Sequence, residues 1–161
     1  MSIDNLYFRA GVGMIVVRDT QVALFERQDV PGNWQFPQGG ISLGESPEEA
    51  MYRELEEETG ITSDDILEIK QVPFLTSYAY PQKMWPGLPH TNNTHIGQSQ
   101  FWYIITLKEH SVINLNKASD YEFINYKWVS YDEIIDEIIE WKRPTYEQLI
   151  RYLKADPVIE K

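Results

Sequence analysis

The acidic segment Glu54-Leu55-Glu56-Glu57-Glu58 constrains the fold more than any other part of the chain. Like charges one helical turn apart destabilise a helix by about 0.2–0.5 kcal/mol per pair. Carboxylates near a helix C-terminus are also unfavourable, because the negative end of the helix dipole lies there. We therefore expect that another interaction offsets the local cost of this segment.

The residues around this segment predict a helix with clear ends. Ser46 is a suitable N-cap and Pro47 fits the first helical position, whereas Gly60 is a suitable C-terminal residue. Met51 and Leu55 give the helix an apolar side that can face a core. The sequence therefore predicts a helix from Ser46 to Gly60 with one apolar side.

The spacing of the glutamates suggests a cation site. Glu54, Glu57 and Glu58 stand at i, i+3 and i+4, so their side chains share one face of the helix. Hard oxygen ligands in one small volume suit Mg²⁺ or Mn²⁺. Arg53 precedes Glu57 by four residues and can orient it, whereas Glu56 points elsewhere.

The alternative interpretation is a glutamate-rich helix that is only a solvated surface. The sequence on either side of the helix argues against that interpretation. Gly39, Gly40 and Glu45 precede the helix, and Gly60-Ile61 follows it. A solvated face does not require a glycine loop before its helix, whereas a site that approaches the backbone closely does.

The remaining pattern predicts a mixed α/β fold. We predict a flexible loop at 38–40, a long loop at 81–97, and helices over 131–141 and from Pro144 onward. Strands are predicted over residues 13–18, 22–27, 34–36, 66–72, 75–80, 99–107 and 126–129. Strands with helices on either side indicate an α/β (α+β) sandwich, and 161 residues suit one domain over 1–161.

Charge and composition exclude several classes of protein. A net charge of −11 disfavours general adhesion to DNA or RNA, since such a surface would be basic. The absence of cysteine excludes disulfides and thiolate metal sites. No apolar run is long enough to span a bilayer, so we expect a cytoplasmic protein without a membrane partner.

The segment 39–61 resembles the signature of the Nudix hydrolases at every defined position. The matching residues are Gly39, Glu45, Arg53-Glu54-Leu55, Glu57-Glu58 and Gly60-Ile61. Outside this box, the chain is similar to the bacterial RNA pyrophosphohydrolases, a branch close to the dinucleoside polyphosphate hydrolases. The segments that carry this second likeness are 34–40, 50–53, 96–98, 122–123 and 128–131.

This resemblance implies a fold, a cofactor and roles for individual residues. The fold would be the Nudix α/β/α sandwich with a mixed central sheet, and the cofactor Mg²⁺ or Mn²⁺, as two or more ions. The expected metal ligands are the Gly39 carbonyl, Glu54, Glu57, Glu58 and Glu122. Glu57 is the favoured general base and Glu54 and Glu122 are the alternatives, while Arg53 and Glu45 would hold the ligands in place.

The same resemblance implies a substrate and a set of contacts to it. The expected reaction removes pyrophosphate from the triphosphorylated 5′ end of RNA and thereby promotes mRNA decay. A dinucleoside polyphosphate, such as diadenosine tetraphosphate, is the alternative substrate, and a catalytically silent nucleotide sensor is a lesser alternative. Trp141 either stacks on a base or belongs to the core. The expected substrate contacts are Arg9, Gln28, Gln38, Ile139, Trp141 and Lys142.

Overall fold

A mixed eight-stranded sheet lies at the centre of the computed structural model, which describes residues 6–88 and 93–155. The strands are β1 (Phe8–Arg18), β2 (Gln21–Arg27), β3 (Trp34–Gln35), β4 (Gln38–Gly40), β5 (Ile66–Gln71), β6 (Thr76–Ala79), β7 (Gly97–Leu107) and β8 (Phe123–Ser130). The long strands β1 and β7 pair in parallel, and the other pairings are antiparallel. The order is β3-β2-β1-β7-β5, with β4 on β1, β6 on β7 and β8 on β2.

Both faces of the sheet are covered. Along β1, Met14 and Val16 belong to one apolar cluster, whereas Ile15 and Val17 belong to the other. Such alternation follows from the two-residue period of a strand. The two clusters lie on opposite faces of the sheet, so the predicted α/β/α sandwich is confirmed.

One helix covers each face. The helix α1 (Pro47–Thr59) packs Ala50, Met51 and Leu55 into one cluster. The helix α2 (Arg143–Ala155) packs Tyr146, Leu149, Ile150 and Leu153 into the other. Within the described ranges, neither helix is long and apolar enough to cross a membrane.

The ends of α1 are where the sequence predicts them. The Ser46 side chain accepts a hydrogen bond from the Glu49 N–H at 3.1 Å. Gly60 adopts a left-handed conformation with φ of 78°, and its N–H donates to the Glu56 carbonyl. Only glycine adopts this conformation without a steric cost, which explains why the helix ends there.

The predicted helix over 131–141 is wrong. Three short 3₁₀ turns occupy this region, at Tyr131–Glu133, Ile135–Glu137 and Glu140–Lys142. Extended backbone at Ile138 and Ile139 separates the second turn from the third. The apolar residues therefore do not share one helical face: Ile138 is buried in the core, while Ile139 is exposed.

The predicted flexible loop at 38–40 is instead the short strand β4. It pairs with β1 through Gly11↔Gly40, Val12↔Gly39 and Gly13↔Gln38. This pairing fixes the residues that lead into α1, and so it holds the glycines in a defined place. The predicted loop 81–97 contains a 3₁₀ turn at Gln82–Met84, and residues 89–92 lie outside the described residues.

Replacing Ser46 with alanine is expected to destabilise the protein by about 1 kcal/mol, because the Glu49 N–H loses its cap. Urea unfolding of both proteins measures this difference. Ser46→Asn is the matched control and should unfold close to the wild type, because asparagine also caps helices well. Equal losses in both variants would contradict a capping role.

Candidate functional site

The helix α1 presents its glutamates to β4. The Glu58 carboxylate accepts a hydrogen bond from the Gln38 N–H at 3.1 Å. Glu54 lies against Gly39, where an added Cβ would come within 2.0 Å of the Glu54 carboxyl carbon. A side chain at position 39 would therefore displace the carboxylate of Glu54.

Arg53 joins α1 to the residues before it. Its guanidinium donates to Glu45 at 2.7 and 2.8 Å, to Glu54 at 2.7 Å and to Glu57 at 3.1 Å. It also donates to the Gly40 carbonyl at 2.9 Å. The hydrogen bond from Arg53 is the main reason that the pKa of Glu45 is lowered to about 2. One guanidinium thus supplies the positive charge that the acidic segment needs.

Glu58 is the most deeply buried carboxylate of the group, with 3% of its surface exposed. Burial, followed by the nearby charges of Glu122 and Glu54, raises its pKa well above the usual range. Burial likewise raises the pKa of Glu54. Glu122 precedes β8, and its carbonyl accepts from the Gln28 N–H at 2.8 Å. Carboxylates from two distant parts of the chain therefore lie close enough to repel each other.

This donor set fits a divalent cation. Across 6–88 and 93–155, no three His, Cys, Asp or Glu side chains form a closed set of ligands, and Arg53 holds both Glu54 and Glu57. Nevertheless, burial, together with the nearby charge of Glu122, opposes the ionisation of Glu54 and Glu58. A hard cation would relieve the repulsion from Glu122, and carboxylate oxygens are the ligands that Mg²⁺ and Mn²⁺ prefer.

Four of the predicted substrate residues gather around Tyr78 on β6. The Gln38 amide donates to the Tyr78 hydroxyl at 3.2 Å, and the charge of Arg9 acts on the same phenol. The Trp141 ring lies 5.4 Å from the Tyr78 ring, measured between centroids. The Lys142 ammonium lies 5.5 Å from the Tyr78 centroid. Residues from β4 and the last 3₁₀ turn therefore meet at one tyrosine, and the charge of Arg9 on β1 acts on it.

Trp141 belongs to an aromatic wall that also includes Tyr78 and Tyr80. The Tyr80 ring stands perpendicular to the indole, at 5.8 Å between centroids. Its hydroxyl accepts from the Gln98 amide at 3.1 Å and shares a hydrogen bond with His95 at 2.8 Å. Trp141 itself is half-buried, so part of its ring remains open to a ligand.

Lys142 is buried beside this wall, with 4% of its surface exposed. Its ammonium donates to the Gln35 side-chain oxygen at 3.2 Å. Burial, followed by the charge of Arg27, lowers the pKa of Lys142 to about 8, while Glu122 and Glu58 oppose this shift. The charges of both glutamates therefore act on the buried lysine.

The other two predicted substrate residues lie elsewhere. Gln28 lines a cavity of about 480 Å³ together with Arg27, Asp29 and residues 119–122. Ile139 lines a separate groove of about 310 Å³, formed with residues 30–33, Glu137 and Ile138. The predicted contacts therefore form three neighbouring groups rather than one pocket.

Sequence reasoning did not single out Tyr78, Tyr80, Gln35 or Arg27. The sequence does contain a pattern that could have identified the tyrosines. Tyr78 and Tyr80 lie two positions apart in a predicted strand, so their side chains point to the same side. Gln35 and Arg27 carry no such local signal. The contact between Gln35 and Lys142 joins residues 107 positions apart, so no local sequence pattern encodes it.

Solved structures share this fold. The dihydroneopterin triphosphate pyrophosphohydrolase of E. coli superposes with a TM-score of 0.68 at 19% identity, covering 91% of this chain and 99% of that one. An Ap4A hydrolase of C. elegans superposes with a TM-score of 0.63 at 18% identity, with the same coverage of both chains. At these identities the likeness concerns the fold alone.

Relatives in sequence cover most of the chain. Nudix hydrolase 25 of Arabidopsis thaliana is 38% identical over an alignment of 156 residues, and the alignment covers 89% of this chain and 85% of that protein. The RNA pyrophosphohydrolase of Photobacterium profundum is 33% identical over 156 residues, covering 95% of this chain and 87% of that protein. The family model for the NUDIX domain matches residues 7–149. This chain therefore belongs to the Nudix hydrolase family.

Proposed function

We propose that this chain is an RNA 5′ pyrophosphohydrolase that acts in the cytoplasm as a single domain over residues 1–161. It would remove pyrophosphate from triphosphorylated RNA, leave a 5′ monophosphate and so promote mRNA decay. Relatives that carry the name RNA pyrophosphohydrolase, at 33–35% identity, support this proposal. The observation that carries it is the buried carboxylate of Glu58, whose charge acts on the buried ammonium of Lys142. Groups of both charges suit a polyphosphate bound with its cations.

The proposed metal ligands are Glu54, Glu57, Glu58, Glu122 and the carbonyl of Gly39. Together they would hold two or more ions of Mg²⁺ or Mn²⁺. Bound divalent metal neutralises phosphate charge and lowers the pKa of a coordinated water. Repulsion among the buried carboxylates supports this assignment, since cations would remove it.

Glu57 is the proposed general base. Its side chain is 35% exposed, compared with 12% for Glu54, so its oxygens are the more open to an incoming water. Arg53 contacts Glu57 at 3.1 Å and Glu54 at 2.7 Å, so it restrains Glu57 the less tightly. Arg53 and Glu45 act as positioning residues in this mechanism, and Glu54 and Glu122 remain the alternatives for the base.

The remaining residues would bind and orient the substrate. Arg9, Gln38 and Lys142 lie around Tyr78 and supply donors for phosphate oxygens. Trp141 offers a partly open indole on which a base can stack. Gln28 and Ile139 are proposed to contact the bases that follow. A dinucleoside polyphosphate would use the same groups, which makes it the second candidate substrate.

Saturating Mg²⁺ is expected to stabilise the protein against thermal unfolding, because the ion relieves repulsion at Glu58. When the free Mg²⁺ concentration is tenfold above its dissociation constant, the free energy of unfolding rises by about 1.4 kcal/mol. Calorimetry with EDTA, with Mg²⁺ and with NaCl of equal ionic strength measures it. Glu58→Gln should unfold at a higher temperature than the wild type in EDTA and should gain less from Mg²⁺. An equal gain from NaCl would argue against a specific site.

Glu57→Gln is expected to lower kcat by about 10²–10⁴-fold, because the amide cannot accept the proton from water. Its unfolding curve should match that of the wild type, since Glu57 is partly exposed. Glu56→Gln is the matched control, because Glu56 is exposed on the same helix. Phosphate release at a wild-type rate from Glu57→Gln would refute the assignment of the base.

The choice of substrate is tested by initial rates on triphosphorylated RNA and on diadenosine tetraphosphate, under one set of Mg²⁺ conditions. We expect a higher kcat/KM on RNA. A higher value on the dinucleotide would replace the first candidate with the second. Loss of phosphate release from both would indicate a silent nucleotide sensor.

A further inference from the structure

The segment between β3 and β4 connects the layer of α2 to the layer of α1. Phe36 is fully buried in the apolar cluster that α2 covers. Two residues later, the Gln38 N–H donates to the Glu58 carboxylate on α1 at 3.1 Å. A displacement of the backbone at Phe36 therefore has few bonds over which to relax before it reaches a proposed metal ligand.

Tyr146 of α2 holds this segment at Phe36. The Phe36 N–H donates to the Tyr146 hydroxyl at 2.8 Å. The two rings are stacked, with their centroids 4.7 Å apart and their planes at 17°. Only 1% of the Tyr146 surface is exposed, so bulk water does not reach this hydrogen bond. Without the hydroxyl, the Phe36 N–H would be buried and unpaired, which is costly for a backbone donor.

Pro37 makes the connection between Phe36 and Gln38 stiff. The proline ring holds φ at about −65°, so the backbone cannot rotate freely at this position. The Pro37 carbonyl accepts from the Met14 N–H of β1 at 2.9 Å. This carbonyl and the Gln38 N–H belong to one planar peptide group, so β1 and Glu58 hold the two sides of the same plane. The orientation of the Gln38 N–H thus depends on the backbone that precedes it.

We propose that Tyr146 is a positioning residue for the metal site. Its hydroxyl fixes the Phe36 amide, and through Pro37 it sets the direction of the Gln38 N–H that holds Glu58. The inference rests on the proposed function, because it takes Glu58 as a ligand of Mg²⁺ or Mn²⁺. It goes beyond that function by assigning a role to a buried residue of α2, the helix on the opposite face of the sheet from α1.

The experiment compares Tyr146→Phe with the matched control Thr76→Val. Tyr146→Phe keeps the stacked ring and removes only the hydroxyl. Thr76→Val removes another buried hydrogen bond from the same apolar cluster, in which the Trp102 indole N–H donates to the Thr76 hydroxyl at 2.6 Å. Both variants should lose thermal stability. A change that is found in Tyr146→Phe alone therefore does not come from lower stability.

Two measurements are made without substrate. The first is the exchange of single amide hydrogens, followed by NMR in EDTA. Tyr146→Phe should speed exchange at Gln38 about tenfold relative to the amides of β7. The second is Mn²⁺ binding, followed by EPR, in which Tyr146→Phe should raise the dissociation constant about fivefold. Thr76→Val should stay within about twofold of the wild type in both measurements.

Pro37→Ala is a second variant, which decides the question if Tyr146→Phe does not fold. It leaves Tyr146 in place and makes the connection between Phe36 and Gln38 flexible. Both measurements should change in the same direction as in Tyr146→Phe. Wild-type values for Pro37→Ala would contradict the transmission of the restraint through Pro37.

The outcomes separate this inference from the proposed function. Absence of Mn²⁺ binding by the wild type would refute the proposed metal ligands, whereas faster exchange at Gln38 in Tyr146→Phe would still support the positioning of Glu58. If the wild type binds Mn²⁺ and Tyr146→Phe binds it equally well, the inference alone is overturned. Equal weakening by Thr76→Val, or unchanged exchange at Gln38 in Tyr146→Phe, would overturn it as well.

Discussion

The site depends on the hydrogen bonds that the guanidinium of Arg53 donates. It binds Glu45, Glu54, Glu57 and the Gly40 carbonyl, and so joins the strand before α1 to the helix itself. Its side chain is 32% exposed, so water screens part of each attraction. Its importance therefore lies in geometry more than in the strength of any one ion pair. Without this cation, the glutamates that surround it would repel one another across a short distance.

The glycines of β4 also help to position the glutamates of α1. Pairing with β1 fixes the backbone of Gly39 and Gly40, and the missing Cβ at Gly39 leaves room for Glu54. Glu58 then receives the Gln38 N–H in a buried setting. A strand rather than a loose loop therefore fixes the backbone that faces the carboxylates of α1.

Local sequence patterns predict the helix of the Nudix signature well. They do not predict features that depend on contacts between residues far apart in the chain. The ends of α1 depend on Ser46 and Gly60, whose effects act within one helical turn, so the sequence predicts them correctly. The predicted helix over 131–141 is wrong. The isoleucine spacing there fits a helix, but Ile138 is buried in the core with extended backbone. The meeting of Tyr78 with Lys142 joins residues far apart in sequence. No local pattern encodes such a contact, because strand pairing and helix docking create it.

Because a different helix covers each face of the sheet, the two faces are covered at different stages of synthesis. The face that carries Ile15 and Leu24 is covered by α2, the last described helix, and Lys142 directly precedes that helix. During synthesis, this face cannot be fully covered until α2 has left the ribosome, whereas the residues of α1 emerge much earlier. Lys142 leaves the ribosome at the same stage, because it directly precedes α2. An incomplete nascent chain thus exposes apolar strands and lacks this cation, so maturation of the core and of the site coincide.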